Sequence, residues 1–507
     1  MDSHSPQSQT FSDTYGADGR LSQSAADALV ASAYRHDCAD ADVLLEGVSL
    51  ADLAHALALI ECGAIPATVA PRLLRGLLEL HAIPIAEFPI RPELGDVYNS
   101  REALLKERIG HDSGWLHAGR PRREAVNIGY LIAVRDRIAR LMQSHAALGF
   151  AFTDRAEEHI GTLMPDFTYL HHAHPTSLGH YLLTYAQPMR RDLDRLSAVH
   201  ARVNASPAGS GSVNGTRLPI DRARLASRLG FSSVAIHTRD AMWQPDVPIE
   251  CISAAVTLMV NLDRFAEELQ IWGTAEFDFA DLPDSLSRSS VIMPQKKNPY
   301  PLAYIRGLTG HLLGKTASFA AVGKTFSGNP DSRVFIYGEL PRSLDRVAEA
   351  VNLFAAVITG FTPHLPRMRR GLDEGYPEAT DLADHLMLAQ EMDYRTAHHL
   401  VGRAIRLAID ESHAGPLTGA HLDRAADALG IGRPGLTDDA LATITAPDSI
   451  VASREGIGGA APDRVRDMIA DARSHFDAAR HEAARLLTQT ASSKAELLAE
   501  ATRLSQS

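Results

Sequence analysis

The chain has 507 residues, of which 45% are hydrophobic and 22% charged, so it can bury a large core divided among two or three domains. Its net charge of −12 argues against nucleic acid as a partner, because phosphate binding needs a basic face. Residues 1–20 are polar, and no apolar run approaches the ~20 residues that span a bilayer, so we expect a cytoplasmic protein with no membrane partner. The scattered cysteines suggest neither a disulfide framework nor a thiolate metal site; they are Cys38, Cys62 and Cys251.

Hydrophobic periodicity predicts helices along nearly the whole chain. Residues 1–20 form a polar tail that we expect to be disordered. The first apolar stripe follows a predicted N-cap at Ser49 and ends before Gly63, which predicts a helix stop. Stripes of this kind are typical of a bundle of long helices. The longer ones run through 128–141, 252–272, 302–313 and 344–358.

Clusters of proline and glycine interrupt the helical pattern and hold most of the unusual polar sequence. Because functional groups are concentrated on loops that a rigid scaffold positions, we expect the active groups in these interruptions. They lie near 81–121, 205–219, 281–300 and 325–342. The final segment, 474–507, returns to a helical pattern and is predicted to be an added packing or assembly helix.

The most informative loop is 289–299, which reads Ser-Ser-Val-Ile-Met-Pro-Gln-Lys-Lys-Asn-Pro. It resembles the signature loop of the fumarase and aspartase superfamily, in the form typical of argininosuccinate lyases. The resemblance implies that Ser290 is the base that removes a proton from carbon, while Lys296 and Asn298 stabilise the charge that builds up on the adjacent carboxylate. Two neighbours of Ser290 depart from the family's Gly-Ser-Ser. A basic loop at a helix start is the simpler alternative.

Residues 116–124 resemble the family's Leu-His-Thr-Gly-Arg-Ser-Arg-Asn-Asp motif. The resemblance implies that Arg122 grips a substrate carboxylate with two parallel hydrogen bonds. Arg123 replaces a substrate-binding Asn and adds a positive charge, so we expect a substrate with an extra acidic group or a rearranged pocket. The alternative is a solvated Arg paired with Glu124.

Residues 164–170 resemble the family's Met-Pro-Gly-Tyr-Thr-His-Leu motif. Thr168 matches a residue that contacts the substrate carboxylate. Tyr169 stands where the family has the histidine associated with protonating the leaving nitrogen. A phenol with an ordinary pKa of about 10 can still donate a proton to a basic amine, so Tyr169 is the candidate acid.

The region 328–336 departs most from the family. Asn329 remains, but the Tyr, Gln and Lys that the family links to the arginine-bearing part of the substrate are absent. We count Asn329 and Arg333 as substrate-binding candidates. Together with Tyr98 in place of a His and Asp52 in place of a Ser, these changes argue that argininosuccinate itself is not the substrate.

Four histidines lie close together in sequence after the Tyr169 motif. A metal would need two or three of them on one face with an open position, and the family works without a metal, so we expect solvated or packed histidines and no cofactor. They are His171, His172, His174 and His180.

The resemblance extends from roughly 40 to 470 and implies an all-α, three-domain fold of the fumarase and aspartase type with a central bundle of long helices. The expected divisions are an N-terminal helical domain, a central bundle, a C-terminal helical domain and a helical extension. Their limits are 21–121, 122–365, 366–473 and 474–507.

The implied function is a carbon–nitrogen lyase that releases fumarate and an amine from an N-substituted aspartate, or that runs in reverse. Two alternatives stay open: authentic argininosuccinate lyase, and a non-catalytic relative kept for assembly or ligand binding. The resemblance also implies a homotetramer whose active sites each combine loops of three subunits, with a small dicarboxylate as substrate.

Overall fold

A computed structural model describes residues 24–329, 331–413 and 415–507. The predicted tail, 1–20, lies outside the described residues. The helices are α1 (Asp27–Leu29), α2 (Arg35–Cys38), α3 (Ala41–Glu61), α4 (Ala70–His81), α5 (Val97–Ile109), α6 (Arg122–Glu158), α7 (Leu178–Val203), α8 (Arg222–Arg228), α9 (Thr238–Trp243), α10 (Asp246–Trp272), α11 (Tyr300–Gly323), α12 (Val334–Tyr337), α13 (Glu339–Gly360), α14 (Leu365–Gly371), α15 (Ala379–Gln390), α16 (Tyr394–Asp410), α17 (Gly419–Leu429), α18 (Asp438–Ile444), α19 (Pro447–Ala452) and α20 (Pro462–Ser505). A π-helical turn (Val30–Tyr34) joins α1 to α2, and short 3-10 turns lie at Ile85–Glu87, Pro92–Leu94, Gly110–His117, Asp284–Leu286 and Asp331–Arg333.

Strands are few and short, and they pair in twos. The antiparallel hairpin β1–β2 is the longest, with Phe167 opposite His172, Thr168 opposite His171 and a bulge between Pro165 and Phe167. β3 and β4 are parallel, whereas β5–β8 and β6–β7 are antiparallel. The strands are β1 (Leu163–Thr168), β2 (His171–Ser177), β3 (Ala205–Ser206), β4 (Ser233–Val234), β5 (Ala280–Asp281), β6 (Arg288–Ser289), β7 (Lys297–Asn298) and β8 (Thr362–Pro363).

The predicted long helices are confirmed, and they form one bundle. The four longer apolar stripes lie inside α6, α10, α11 and α13. α6 packs against α3, α7, α13 and α20, and α10 packs against α7 and α11. A single apolar core runs through these helices, so the bundle is the scaffold that positions the loops at its ends.

The predicted N-cap at Ser49 is wrong. α3 begins at Ala41, and Ser49 lies in its interior, where its hydroxyl is 2.9 Å from Nδ1 of His81. The helix starts earlier because Val43 and Leu44 are already buried in the core. The stop is confirmed, since the helix ends at Glu61 and Gly63 has a φ of +74°.

A second apolar core lies in the C-terminal part of the chain, between Leu382 and Leu441. A small third cluster joins this part to the hairpin; its members are Leu163, Leu372, Val451 and Ala460. The extension expected from residue 474 is part of one continuous helix, because α20 already begins at Pro462. The domain limits themselves stay a prediction.

By length and composition, α3 could cross a membrane, which the sequence pattern had not indicated. However, 89% of its most apolar window is buried inside the protein, as in the core helix of a folded domain.

Candidate active site

The predicted site residues lie at two opposite ends of the bundle. α6 begins at Arg122 and runs for 37 residues, so about 55 Å separates its ends at 1.5 Å per residue. The hairpin follows its C-terminal end, and α7 starts beside it, because the Leu178 and Gly179 N–H groups donate to Thr162 O and His159 O. We call this the hairpin end, and the opposite end, at Arg122, the cleft end.

The signature loop lies at the hairpin end. α10 ends at Trp272, whose ring packs against Tyr181 near the start of α7 with centroids 5.2 Å apart. β5 follows and leads into the loop 289–299. The hairpin end therefore holds five of the predicted residues. They are Thr168, Tyr169, Ser290, Lys296 and Asn298.

The hydroxyl of Ser290 lies within the turn of its own loop. Its Oγ accepts a hydrogen bond from the Met293 N–H at 3.1 Å. The β6–β7 pair closes the loop, and there Asn298 Nδ2 donates to Arg288 O at 2.9 Å. Because an N–H donor stabilises an alkoxide more than a neutral hydroxyl, this bond favours the role of base. The same bond also occurs in serine turns that only shape a loop.

The two lysines of the loop differ in their partners. Lys297 Nζ lies 2.9 Å from Asp281 Oδ2 and 3.0 Å from Asp284 Oδ1, and its hydrogen bonds to Asp281 and Asp284 raise the pKa of Lys297. Lys296 is exposed, and its ammonium has no ion pair within the part of the chain that the structure describes. Of the two lysines, Lys296 is therefore the one available to an anionic ligand.

The hairpin tip projects into solvent. Tyr169 is 98% exposed and Leu170 58%, and both have a positive φ, of 56° and 61°. Thr168 is the exposed last residue of β1. In a single chain the candidate acid is thus presented outward, in a position to reach another surface.

At the cleft end, the two predicted arginines have carboxylate neighbours. Arg122 Nη1 lies 3.1 Å from Asp96 Oδ2, and its side chain is 36% exposed. Arg123 is only 13% exposed, with Nη2 3.7 Å from Asp37 Oδ2. A carboxylate of the same chain balances the added charge of Arg123. The charge therefore gives little support to the expectation that the substrate carries an extra acidic group.

Glu124 has a different role from the one considered for it. It is fully buried, and its carboxylate accepts the Gly209 N–H at 2.7 Å and the Gly211 N–H at 2.8 Å, while burial raises its pKa. The pairing of an exposed Arg with Glu124 is therefore wrong; Arg122 pairs with Asp96 instead. Spacing alone could not reveal this carboxylate, because its partners are backbone amides of a distant loop.

A cleft of about 320 Å³ opens at this end between residues 237–248 and 322–336. Asn329 lies in its wall, and its Nδ2 donates to Thr325 Oγ1 at 3.1 Å. Arg333 is 9% exposed and donates to Met242 O at 2.9 Å and Asn127 Oδ1 at 3.3 Å, so a substrate would compete with bonds inside the chain. Both residues remain predictions as ligands.

Sequence reasoning missed most of the cleft lining. Its apolar surface includes Trp243, Phe326 and Ile336, and Arg239 stands at the wall, where its Nε donates to Ser327 Oγ at 2.8 Å. Spacing in the sequence could not reveal this lining, because the parts of it that α9 and α11 contribute come together only in the folded chain.

Two of the departures from the family lie in a buried ionic network rather than in a pocket. Asp52 binds Arg101 at 2.8 Å and also Arg120, which donates to the Tyr98 hydroxyl at 3.2 Å. Burial acts to raise the pKa of Asp52, but the charges of Arg120 and Arg101 outweigh it and lower the pKa. Asp52 and Tyr98 are thus explained by packing and do not bear on the substrate.

The four clustered histidines lie on β2 and at the start of α7. His172 Nδ1 lies 2.6 Å from Glu374 O, and His180 Nε2 lies 3.1 Å from Gly458 O. Among the described residues, no group of three or more His, Cys, Asp or Glu could hold a metal ion.

Comparison with known proteins identifies relatives over most of the chain. A family model described as Lyase matches residues 22–314, and one described as Argininosuccinate lyase C-terminal matches 376–452. The argininosuccinate lyase of Methanoculleus marisnigri is 37% identical over 433 residues, covering 84% of this chain and 86% of that protein. That of Thiobacillus denitrificans is 36% identical over 428 residues, covering 84% and 90%.

A solved structure resembles the whole chain. An EDDS lyase variant with bound fumarate has a TM-score of 0.82 at 26% identity, covering 100% of this chain and 97% of that one. The expected all-α, multi-domain fold is confirmed. The chain therefore belongs to the argininosuccinate lyase family of the fumarase and aspartase superfamily, and it is a carbon–nitrogen lyase.

Proposed function

We propose that this carbon–nitrogen lyase releases fumarate from an N-substituted aspartate whose amine is not arginine, or adds that amine to fumarate in reverse. The observation that carries the proposal is the geometry of the signature loop. The Ser290 hydroxyl has an amide donor, Met293 N–H, and the neighbouring cation Lys296 is not neutralised within the described chain. A loop kept only for its shape would not need that uncompensated charge.

The roles follow from the electron flow. Ser290 takes the proton from the carbon next to a carboxylate, and Lys296 and Asn298 meet the negative charge that develops there. The electron pair left on that carbon forms the double bond of fumarate as the carbon–nitrogen bond breaks, the pair of the broken bond stays on nitrogen, and Tyr169 donates a proton to the leaving amine. Arg122 and Thr168 hold the substrate carboxylates.

One chain cannot supply all of these groups to one substrate. Arg122 starts α6 and Thr168 lies on the hairpin that follows its other end, and the length of α6, about 55 Å, far exceeds that of a four-carbon diacid. We therefore propose a homotetramer in which each site combines loops of three subunits.

The outer face of α11 supports assembly. Tyr304 and Leu313 are exposed there, and a Cβ built on Gly307, Gly310 or Gly314 meets no atom within 4 Å among the described residues. A glycine within a helix costs about 1 kcal/mol relative to alanine, and the packing of the described chain gives no reason for any of the three. Close approach of another subunit's helix supplies one.

The cleft at the other end favours an amine without a guanidinium. Among the lining residues whose side chains the structure describes, Arg239 and Arg333 place two positive charges on the wall and Asp240 places one negative charge. Phe326 and Ile336 add apolar surface. Since like charges in a confined site repel, we propose an amine whose remote part is neutral or acidic.

Two alternative functions each have a supporting observation. Authentic argininosuccinate lyase is favoured by the 37% identity to the relative of that name. A non-catalytic role is favoured by Tyr169, which replaces the family's histidine.

We further propose a cytoplasmic enzyme with no nucleic-acid or membrane partner, in line with its acidic charge.

A panel of amines tests the proposal. Purified protein is mixed with fumarate and arginine, a neutral amino acid or an acidic one, and loss of fumarate absorbance is followed. We expect turnover with a neutral or acidic amine, at least ~10-fold above arginine, and a loss of ~10³-fold or more in Ser290→Ala. Ser289→Ala, on the exposed neighbour, is the matched control and should remain active.

Each alternative has its own outcome in the same assay. Cleavage of argininosuccinate faster than of any other adduct would establish argininosuccinate lyase in place of our proposal. Inactivity across the panel, with fumarate still bound, would support a non-catalytic relative.

A further inference from the structure

The hairpin tip that carries Thr168 and Tyr169 has little support of its own. Two successive residues, Tyr169 and Leu170, adopt positive φ, which is the backbone of a two-residue type I′ turn. Such turns favour Asn and Gly, because other side chains pay a steric cost in the left-handed region. The tip therefore depends on what holds its base.

The base is a facing pair of residues, one on each strand. Phe167 lies opposite His172, with ring centroids 5.3 Å apart. Phe167 also packs against Phe277 at 5.3 Å and Phe279 at 5.8 Å, in the segment that leads from α10 into the signature loop. Strand β1 is thus tied to the bundle.

His172 ties the other strand to the C-terminal part of the chain. Its Nδ1 lies 2.6 Å from Glu374 O, and since a carbonyl only accepts, Nδ1 is the donor. The next residue, Gly375, has a φ of +78°, and a Cβ there would lie 3.1 Å from His172 Nδ1. The turn at 374–375 therefore fits closely around the imidazole.

Two other contacts join the hairpin and the start of α7 to the same part of the chain. Beyond the hairpin, His180 Nε2 lies 3.1 Å from Gly458 O. Leu163, at the start of β1, packs with Leu372 and Val451 in the small third core. With the hairpin anchored at its far end, the His172 contact controls the part nearest the tip.

We propose that His172 is a positioning residue. Clamped between Phe167 and the carbonyl of Glu374, it fixes the tip so that Thr168 and Tyr169 reach the substrate. This inference rests on the proposed function, in which those two side chains act on substrate, and it adds that the C-terminal part of the chain sets their position.

The test compares three variants of the full-length protein. His172→Ala removes the donor, and His172→Asn replaces it, because Asn Nδ2 and His Nδ1 are the same number of bonds from the backbone. Gly375→Ala disturbs the contact from the other side. His481→Ala is the matched control, since it removes an imidazole bonded to a carbonyl of its own helix, Asp477 O, at 2.9 Å. Steady-state kcat and KM are measured with the amine found active, and amide exchange is measured in the peptide 163–177.

We expect His172→Ala and Gly375→Ala to lower kcat roughly 10- to 100-fold and to speed exchange at the tip. The thermal midpoint of His172→Ala should stay close to that of the native protein, whereas Gly375→Ala also strains a left-handed residue and should lower it. His172→Asn should recover kcat to within about threefold of the native value, and His481→Ala should match native protein. An unchanged tip exchange in His172→Ala, or an Asn variant as impaired as the Ala variant, would overturn the inference. If native protein turns over no substrate, the proposed function fails, whereas the exchange data still decide whether the clamp exists.

Discussion

The two ends of the bundle differ in how completely one chain satisfies their polar groups. At the cleft end, Arg122 and Arg123 have carboxylate neighbours, and Glu124 is saturated by two backbone amides. At the hairpin end, Lys296 and Tyr169 face solvent, and Val291 and Ile292 are 102% and 83% exposed. Apolar side chains exposed at loop tips are costly for a free surface. From this contrast we propose that the cleft end is preformed within one chain and that another chain completes the hairpin end.

We expect the largest effect on activity from substitution of the two lysines of the signature loop, which also sharpens this comparison. Lys296→Ala should lower kcat ~10²- to 10³-fold, because it removes a cation facing the charge that develops on the carboxylate. Lys297→Ala should lower kcat less than about tenfold, because Asp281 and Asp284 already neutralise that ammonium. Steady-state assays of both variants make the measurement. Equal losses would show that the loop acts only through its net charge.

At the cleft end we expect an effect on stability. Glu124→Ala leaves the buried Gly209 amide and the half-buried Gly211 amide without an acceptor and should lower the free energy of unfolding by about 2–4 kcal/mol. Urea denaturation at fixed protein concentration measures it. The control Glu496→Ala, on the exposed face of α20, should change stability by less than about 0.5 kcal/mol. A neutral Glu124→Ala would mean that water or a neighbouring group replaces the carboxylate.

A pH dependence of the free energy of unfolding should arise from two histidines in the core. Burial lowers the pKa of His145 to about 3 and, together with the charge of Arg120, lowers that of His55 to about 3. Both are neutral in the folded protein but take up protons in the unfolded chain below about pH 6.5, so stability should be constant above that pH and fall below it. Two such groups give a slope of at most about 2.8 kcal/mol per pH unit between pH 6 and 4. Denaturation curves at pH 7.5, 6 and 5 test it, and equal stability at all three would contradict the assignment.

Much of the fold could be predicted from the sequence, because the spacing of hydrophobic residues indicates which face of a helix is buried. The stripes inside α6, α10, α11 and α13 were predicted, and so was the loop that carries Ser290. Ser49 was misassigned because a serine before apolar residues resembles a cap, although here it lies inside a helix already buried from Val43 onward. Side-chain partners formed across long separations were not predictable from spacing. The bonds of Glu124 to Gly209 and of Arg333 to Asn127 join parts of the chain that meet only after folding.

The candidate site was less predictable than the fold, because a sequence motif identifies functional residues but does not give their positions in space. The resemblance placed Arg122, Thr168 and Ser290 in one site, but in one chain they lie at opposite ends of helices that the sequence also predicted. The predicted apolar stripe covered only 128–141 of α6, which runs from Arg122 to Glu158, so the separation of these residues within one chain was not predicted from periodicity.

The central claim is that Ser290 and Arg122 of one site come from different chains, and complementation tests it directly. Ser290→Ala and Arg122→Ala are each expected to be inactive alone. Refolded together in equal amounts, they should recover activity at about a quarter of the native sites, since random assortment pairs native residues from different chains. A mixture as inactive as either variant, with mixed oligomers verified by mass, would contradict the shared site.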